Sequence, residues 1–123
     1  MGMTLTITYP GVAPLWSVIR ERSLPFTGPM QLRMIDGLPA FPDEQPEEGW
    51  RELRLSVSGS MLTLRRGAQD ECIIWGNADV ALQRAWQAIA YACADAGNGL
   101  IPTEQGPRTA SEFALECSLT PSG

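Results

Sequence analysis

The stretch that decides the fold is residues 50–97, WRELRLSVSGSMLTLRRGAQDECIIWGNADVALQRAWQAIAYACADAG. Its first half contains three short runs rich in apolar residues, separated by Ser58-Gly59-Ser60 and by residues 66–70. Runs of this kind between short turns are typical of β-hairpins. The sequence therefore predicts an antiparallel meander. The apolar character of residues 71–75 indicates that this strand lies inside the sheet rather than at its edge.

The second half of the stretch predicts one long helix over about residues 77–96, with Asn77 as its N-cap and Gly97-Asn98-Gly99 at its end. An apolar stripe at helical spacing consists of Leu82, Trp86, Ile89, Cys93 and Ala96. A neighbouring stripe of small side chains consists of Ala78, Ala81, Ala85, Ala88 and Ala92. One stripe needs only one contact, so the second implies another. That contact is the same sheet, an N-terminal helix or a second copy of the chain.

Before this stretch, residues 4–9 alternate threonine with apolar side chains, which predicts a half-buried strand. Residues 14–22 fit a short helix, because a proline suits its first turn and the apolar residues recur at helical spacing. Residues 23–29 contain two prolines and a glycine, so we expect a loop there.

A second strand is expected over residues 30–36, in which Met30, Leu32 and Met34 share one face. Residues 38–49 then hold three prolines and four acids. This composition predicts an irregular, solvated connection, and acidic loops of this kind usually serve solubility. The spacing of the acids does not match a calcium-binding loop.

After the long helix, we expect a short strand over residues 100–102 and a loop over residues 103–108. The signals conflict over residues 111–119. Thr109 and Glu112 form the pattern of a capping box before a helix. The opposing, strand-like alternation consists of Phe113, Leu115, Cys117 and Leu119. We favour the strand, which would leave an exposed last strand for pairing with a partner.

These elements predict a single α+β domain over residues 1–123. Its core is an antiparallel or mixed sheet of about five or six strands, in the element order β-α-β-β-β-β-α-β. The helix over residues 77–96 packs on one face of the sheet, and the short N-terminal helix lies beside it or at one end. The length of the chain, 123 residues, suits one hydrophobic core.

The charged residues are 14 acids and nine arginines, with no lysine and no histidine, which gives a net charge of -5 at pH 7. An acidic chain without a basic stripe is a poor ligand for nucleic acid or an anionic membrane. The missing residue types remove imidazole bases, His metal ligands and lysine Schiff bases from the available chemistry. We therefore expect no cofactor and no enzyme activity.

The three cysteines are expected to be buried and inert. Cys72, Cys93 and Cys117 are far apart in the sequence and have apolar neighbours. They are too few for a structural zinc site, and their odd number does not favour a disulfide framework. No apolar run reaches the length of a membrane span, and the N-terminus does not resemble a secretion signal. The expected location is the cytoplasm.

Five residues are candidates for contact with a partner or ligand. Trp16, Phe26 and Trp50 are aromatic residues beside loops, and an exposed aromatic side chain would anchor an interface. For the two tryptophans, core packing is the favoured alternative. Arg54 and Arg65 are expected to lie near one another on the sheet face turned away from the core. They would either bind a carboxylate or phosphate group or pair with Glu52 across the strands.

The leading hypothesis is a small, non-catalytic protein-interaction module that contacts a protein partner or a second copy of itself as a homodimer. An inhibitor or immunity protein would fit this size and acidity, and so would an acidic housekeeping protein. The alternative is a regulatory domain that binds a small molecule in a pocket between helix and sheet, near Trp16, Phe26 and Trp50. An enzyme that uses carboxylates or a thiol is the least favoured hypothesis.

Overall fold

The computed structural model describes residues 3–57, 59–74 and 79–119. Six strands form the main sheet: β1 Met3–Ile7, β2 Met30–Ile35, β3 Leu38–Pro39, β4 Glu52–Val57, β5 Ser60–Arg66 and β6 Asp70–Ile74. The helices and a small second sheet are α1 Trp16–Thr27, α2 Val80–Gly97, β7 Ile101–Thr103, β8 Gly106–Arg108 and α3 Ala110–Glu116. The main sheet is antiparallel, in the spatial order β1-β6-β5-β4-β2-β3. The expected α+β class and six-stranded sheet are therefore confirmed.

The predicted meander is confirmed in β4, β5 and β6. Leu55 lies opposite Leu62, and Leu64 lies opposite Cys72, so the apolar residues of the three strands share one face. β6 lies between β1 and β5, which is the inner position that its apolar sequence predicted. The helices cover this face, and its side chains form the core together with the apolar stripe of α2.

Helix α2 has well-defined caps at both ends. Asp79 is its N-cap, because the Asp79 side chain accepts a hydrogen bond from the Leu82 amide at 2.8 Å. The predicted cap, Asn77, lies outside the described residues. At the other end Asn98 takes the left-handed conformation, with φ 52°. Gly99 is required for a different reason, since a Cβ there would lie 2.7 Å from the Thr8 carbonyl oxygen.

Helix α1 supplies the second contact that the alanine stripe of α2 implied. Ala85, Ala88 and Ala92 are buried, and α1 packs mainly against α2 rather than against the strands. The ring of Phe26 meets Tyr91 edge to face at a centroid distance of 5.2 Å. Small side chains allow the two helices to approach closely, so this stripe needs no second copy of the chain.

The N-terminal helix is longer than its sequence predicted. It continues to Thr27, through residues 23–27 of the predicted loop, and contains Pro25 in its last turn. A proline so close to the end removes only one backbone hydrogen bond there. Gly28, with φ 71°, ends the helix, and its amide donates to the Leu24 carbonyl.

A β-bulge in β2 corrects the predicted placement of Met34. The register shifts between Leu32 and Met34, so that Met34 lies opposite Arg54 rather than opposite a core residue. A bulge inserts one extra residue and moves the following side chain to the other face. Met34 therefore lies on the face turned away from the helices, whereas Met30 and Leu32 remain in the core.

The predicted last strand is wrong, because the segment forms helix α3. The Thr109 side chain accepts from the Glu112 amide and the Glu112 side chain accepts from the Thr109 amide, which is the capping box. This cap fixes the first turn, and Ala110 and Phe113 bury one side of the seven-residue helix. The exposed strand that was expected to pair with a partner is therefore absent from residues 110–116.

Candidate interaction surface

The three aromatic candidates do not form one site. Trp16 and Trp50 are core residues, 4% and 3% exposed, which agrees with the core-packing alternative. Phe26 is half-buried beside Tyr91. Trp16 and Phe26 are ten positions apart on α1, about 15 Å along the helix axis. The three side chains therefore do not line the common pocket that was expected.

Trp50 belongs instead to a buried polar group that the sequence did not reveal, which we call the Asp70 cluster: Tyr9, Trp50, Arg66 and Asp70. Arg66 donates to both Asp70 carboxylate oxygens, at 2.9 and 2.8 Å. The Tyr9 hydroxyl donates to Asp70 Oδ2 at 2.7 Å. The Arg66 guanidinium also lies 4.1 Å from the ring centre of Trp50. Asp70 is 1% exposed, so this carboxylate is fully enclosed by its partners.

The Asp70 cluster has the electrostatics of a structural site. Burial raises the pKa of Tyr9 well above its ordinary value, and the neighbouring carboxylate raises it further. Burial would lower the pKa of Arg66, but its hydrogen bonds to Asp70 and the charge of that carboxylate raise it overall. Tyr9 thus stays neutral and Arg66 stays charged at neutral pH. Among the described residues no buried side-chain donor or acceptor lacks a partner, so the cluster is satisfied without a substrate.

The thiols are not placed for chemistry either. Burial raises the pKa of the Cys93 thiol to about 12 and that of Cys72 well above its usual value. A protonated, buried thiol is a poor nucleophile. Cys117 is half-buried on the wall of a shallow depression. In the described ranges, no three His, Cys, Asp or Glu side chains are grouped to hold a metal ion.

The sheet face turned away from the helices carries the other two candidates. We call it the open face, and it consists of Thr4, Thr6, Gln31, Met34, Glu52, Arg54, Ser56, Met61, Thr63, Arg65, Glu71 and Ile73. Arg54 Nε lies 3.4 Å from Glu52 Oε1, and Arg65 lies 3.3 Å from Glu52 Oε2. The structure therefore brings Arg54 and Arg65 together, and two guanidinium groups share one carboxylate.

A short loop forms the β3 margin of the open face, and we call residues 40–50 the Phe41 loop. The residues on either side of Phe41 bond to β2: the Ala40 amide donates to the Arg33 carbonyl at 3.0 Å, and the Pro42 carbonyl accepts from the Leu32 amide at 3.2 Å. Ala40 packs against the core, whereas Phe41 is 75% exposed. Alternation along the extended chain thus places Phe41 on the side of the open face.

The acidic half of the Phe41 loop has its own backbone support. The Glu44 amide donates to the Phe41 carbonyl at 3.0 Å, and the Phe41 amide donates to Glu44 Oε1 at 3.2 Å. The side chains of Asp43, Glu47 and Glu48 are exposed and make no ion pair among the described residues. Leu38, just before the loop, is 69% exposed. Leu38 lies opposite Ile35, which packs against the core, so Leu38 is on the helix side of β3, and Glu47 lines a depression with Ile35 and Trp50. Phe41 is therefore the exposed apolar side chain that this loop presents on the side of the open face.

Both edges of the main sheet are protected against strand addition. At one edge β7 lies beside β1, joined by the Thr8–Leu100 bridge, and Pro102 follows within β7 without an amide to donate. At the other edge β3 is only two residues long and includes Pro39. Short strands and prolines are common means of preventing edge pairing. A partner therefore meets side chains here rather than a free backbone edge.

Comparison with protein families, curated proteins and solved structures finds no match for this chain. Among the described residues, no helix is long and apolar enough to cross a lipid bilayer. The open face and its Phe41 margin are thus the features from which a function can be inferred.

Proposed function

We propose that this chain is a small, non-catalytic protein-interaction module that binds its partner through the open face and the Phe41 loop. The observation that carries this proposal is the exposure of Phe41, 75%, in a loop whose backbone is bonded to β2 on both sides. An aromatic side chain buries a large area on binding. A fixed backbone also reduces the ordering cost of association.

The surroundings of Phe41 are those of an interface margin. Met34 lies on the adjacent strand of the open face, and Pro39 lies opposite it. Arg54, Arg65 and Glu52 supply polar groups on the same face. An apolar centre with a polar, charged rim is the usual anatomy of a protein–protein contact. The inhibitor-like or immunity-like role and the cytoplasmic location inferred from the sequence remain predictions within this proposal.

Photo-crosslinking tests this proposal at a single side chain. A benzophenone amino acid replaces Phe41 in cells that express the chain naturally, and the matched control carries it at Leu115, which is 81% exposed on α3. We expect one discrete protein adduct at position 41 that is absent at position 115. Adducts at both positions alike, or none at position 41, would overturn the proposal.

The small-molecule alternative is favoured by one observation, a cavity of about 180 Å³ between α1 and α2. Its walls include Phe26, Val57 and Ala85, and Arg84 lies at its rim without an ion-pair partner among the described residues. A guanidinium beside an apolar wall suits a small carboxylate with an apolar body. Such a ligand would raise the melting temperature of the wild type but not of Arg84→Ala. No shift across a panel of aliphatic and aromatic carboxylates would remove this alternative.

A further inference from the structure

We propose that Glu44 is a positioning residue for Phe41, and that the partner recognises the Phe41 side chain alone, in an apolar socket that fits one phenyl ring. This inference rests on the proposed function, because it names how the partner of the same surface binds. Glu44 does not touch the partner in this arrangement. It holds the Phe41 backbone in the conformation that presents the ring.

Residues 41–44, Phe-Pro-Asp-Glu, form a turn that two hydrogen bonds close. The Glu44 amide donates to the Phe41 carbonyl at 3.0 Å, as in a β-turn, and a proline suits the second position of such a turn because its φ is already fixed. The Glu44 side chain bonds back in the other direction, since its Oε1 accepts from the Phe41 amide at 3.2 Å. The two bonds are reciprocal, in the manner of a capping box, and together they fix the backbone of Phe41.

The backbone groups of Phe41 are therefore already bonded within the chain. Its amide and its carbonyl both bond to Glu44, and the neighbouring Ala40 amide and Pro42 carbonyl both bond to β2. A partner that takes up an extended segment as an added strand binds these same backbone groups. Recognition must instead come from the side chain of Phe41, which is 75% exposed.

The character of the ring indicates the kind of surface that receives it. The side chains that follow Pro42 in the loop are polar and exposed: Asp43, Glu44 and Gln45. Aromatic anchors contribute most when they fill a well-packed pocket from which water is excluded. A phenyl ring has no polar atom to satisfy, so the wall of that pocket should be apolar. The expected partner is thus a protein with an apolar socket for one phenyl ring.

The far end of the loop is fixed by other groups, so the effect of Glu44 should be local. Asp36 Oδ1 accepts from the Arg51 and Glu52 amides, at 2.7 and 2.9 Å, and Trp50 is buried in the core. Removal of the Glu44 side chain leaves these contacts in place. It should free the Phe41 amide without unfolding the loop, and the cost of ordering this turn would then fall on binding.

Amide hydrogen exchange of the free chain, followed by NMR, tests the positioning role without a partner. The Phe41 amide should exchange about fivefold faster in Glu44→Ala than in the wild type, because it loses its acceptor. Glu44→Gln keeps a side-chain oxygen and should restore slow exchange, which separates the bond from the charge. In the control Glu48→Ala, which removes an exposed acid of the same loop, the Phe41 amide should exchange as in the wild type. The Ala40 amide, bonded to β2, should be unchanged in every variant.

Competition for the photo-crosslink tests what the partner recognises. The chain with benzophenone at position 41 is the tracer, and unlabelled variants compete for its adduct in an extract of the same cells. Half suppression should need at least about tenfold more Phe41→Ala than wild type, and about fivefold more Glu44→Ala. Glu44→Gln and Glu48→Ala should compete like the wild type. Phe41→Tyr should compete less well than the wild type, because its hydroxyl would be buried in the socket without a partner.

Each part of the inference has its own contradicting result. A Phe41 amide that exchanges equally fast in the wild type and Glu44→Ala would overturn the positioning role, as would a Glu44→Ala variant that competes like the wild type. So would a Glu44→Gln variant that competes as poorly as Glu44→Ala. Phe41→Tyr that competes as well as the wild type would overturn the apolar socket. Absence of any tracer adduct would instead refute the proposed function itself, whatever the exchange rate of the Phe41 amide.

Discussion

Two carboxylates in this chain bind arginine at opposite depths, Asp70 in the Asp70 cluster and Glu52 on the open face. Asp70 is 1% exposed and receives two bonds from Arg66, at 2.8 and 2.9 Å. Glu52 lies at 3.3 and 3.4 Å from two arginines that are each about half exposed. Both contacts join a carboxylate to a guanidinium group. Asp70 is enclosed and depends on its arginine, whereas Glu52 can replace its arginine contacts with hydrogen bonds to water. The first contact therefore serves the fold, and the second leaves charge available for binding.

The energies of the two contacts should differ accordingly. Removing one partner of a buried ion pair costs several kcal/mol, because the other charge is left without compensation. Exposed ion pairs usually contribute less than about 1 kcal/mol. Substitutions on the two sides of the sheet thus test whether depth, rather than residue type, decides the role of each arginine.

The largest effect is expected from Asp70→Asn, which we predict to lower the free energy of unfolding by about 3 kcal/mol. The amide cannot balance the Arg66 guanidinium, which is only 14% exposed. Urea denaturation followed by tryptophan fluorescence measures the change. A loss below about 1 kcal/mol would place the Asp70 cluster in the same class as the open-face pairs.

The thiols next to the Asp70 cluster should be protected from labelling. The pKa of Cys93 is raised to about 12, first by burial and then by the charge of Asp70. At pH 8 we expect a thiol reagent to modify Cys93 and Cys72 at least about 100-fold more slowly than Cys117, since the thiolate is the reactive form and access requires opening of the core. Equal labelling of all three cysteines in the folded chain would show that solvent and reagent reach the thiols next to the Asp70 cluster.

The same raised pKa predicts loss of stability at alkaline pH. Unfolded cysteine ionises above a pH of about 8.5, whereas folded Cys93 keeps its proton until about pH 12. The unfolded chain then binds fewer protons than the folded one, so stability is full below pH 8.5 and decreases between pH 8.5 and 12. Urea midpoints at pH 7.5 and 10 measure this change. Cys93→Ala should reduce the decrease, although Cys72, whose pKa is also raised by burial, maintains part of it.

A smaller effect is expected from Tyr9→Phe, about 1 kcal/mol of destabilisation. The substitution removes the 2.7 Å hydrogen bond to Asp70 but leaves both bonds from Arg66. The same urea measurement compares it with Asp70→Asn. If Tyr9→Phe were the more destabilising of the two, the ring packing of Tyr9 rather than the carboxylate would dominate this region.

The fold was predictable where the local pattern and the tertiary contacts agree. In β4 and β5 the apolar alternation matches the face that is buried, and in α2 the apolar stripe matches the side that packs on the sheet. The bulge that moves Met34 to the open face was not predictable, because it is a register shift in the pairing of β2 with β4 and leaves no mark in the local pattern of β2. For α3, the capping box predicted a helix and the alternation predicted a strand, and the segment forms a helix.

The candidate surface was predictable only in part. Arg54, Arg65 and Glu52 follow from hairpin register, so their proximity could be expected. Arg66 and Asp70 flank a short turn four residues apart, a signal that could have suggested their ion pair. The burial of Asp70 could not be foreseen, because it also needs Tyr9 from the segment that follows β1. Phe41 was overlooked because the exposure of a loop aromatic depends on how the loop bonds to β2.

The most direct test compares the urea denaturation of the wild type, Arg54→Ala/Arg65→Ala and Arg66→Ala. We expect the double variant on the open face to stay within about 0.5 kcal/mol of the wild type, because exposed ion pairs contribute little. We expect Arg66→Ala to lose about 3 kcal/mol, because it leaves the buried Asp70 carboxylate without its ion-pair partner. A loss of about 2 kcal/mol or more in the double variant would contradict the account, and so would an Arg66→Ala variant that is as stable as the wild type.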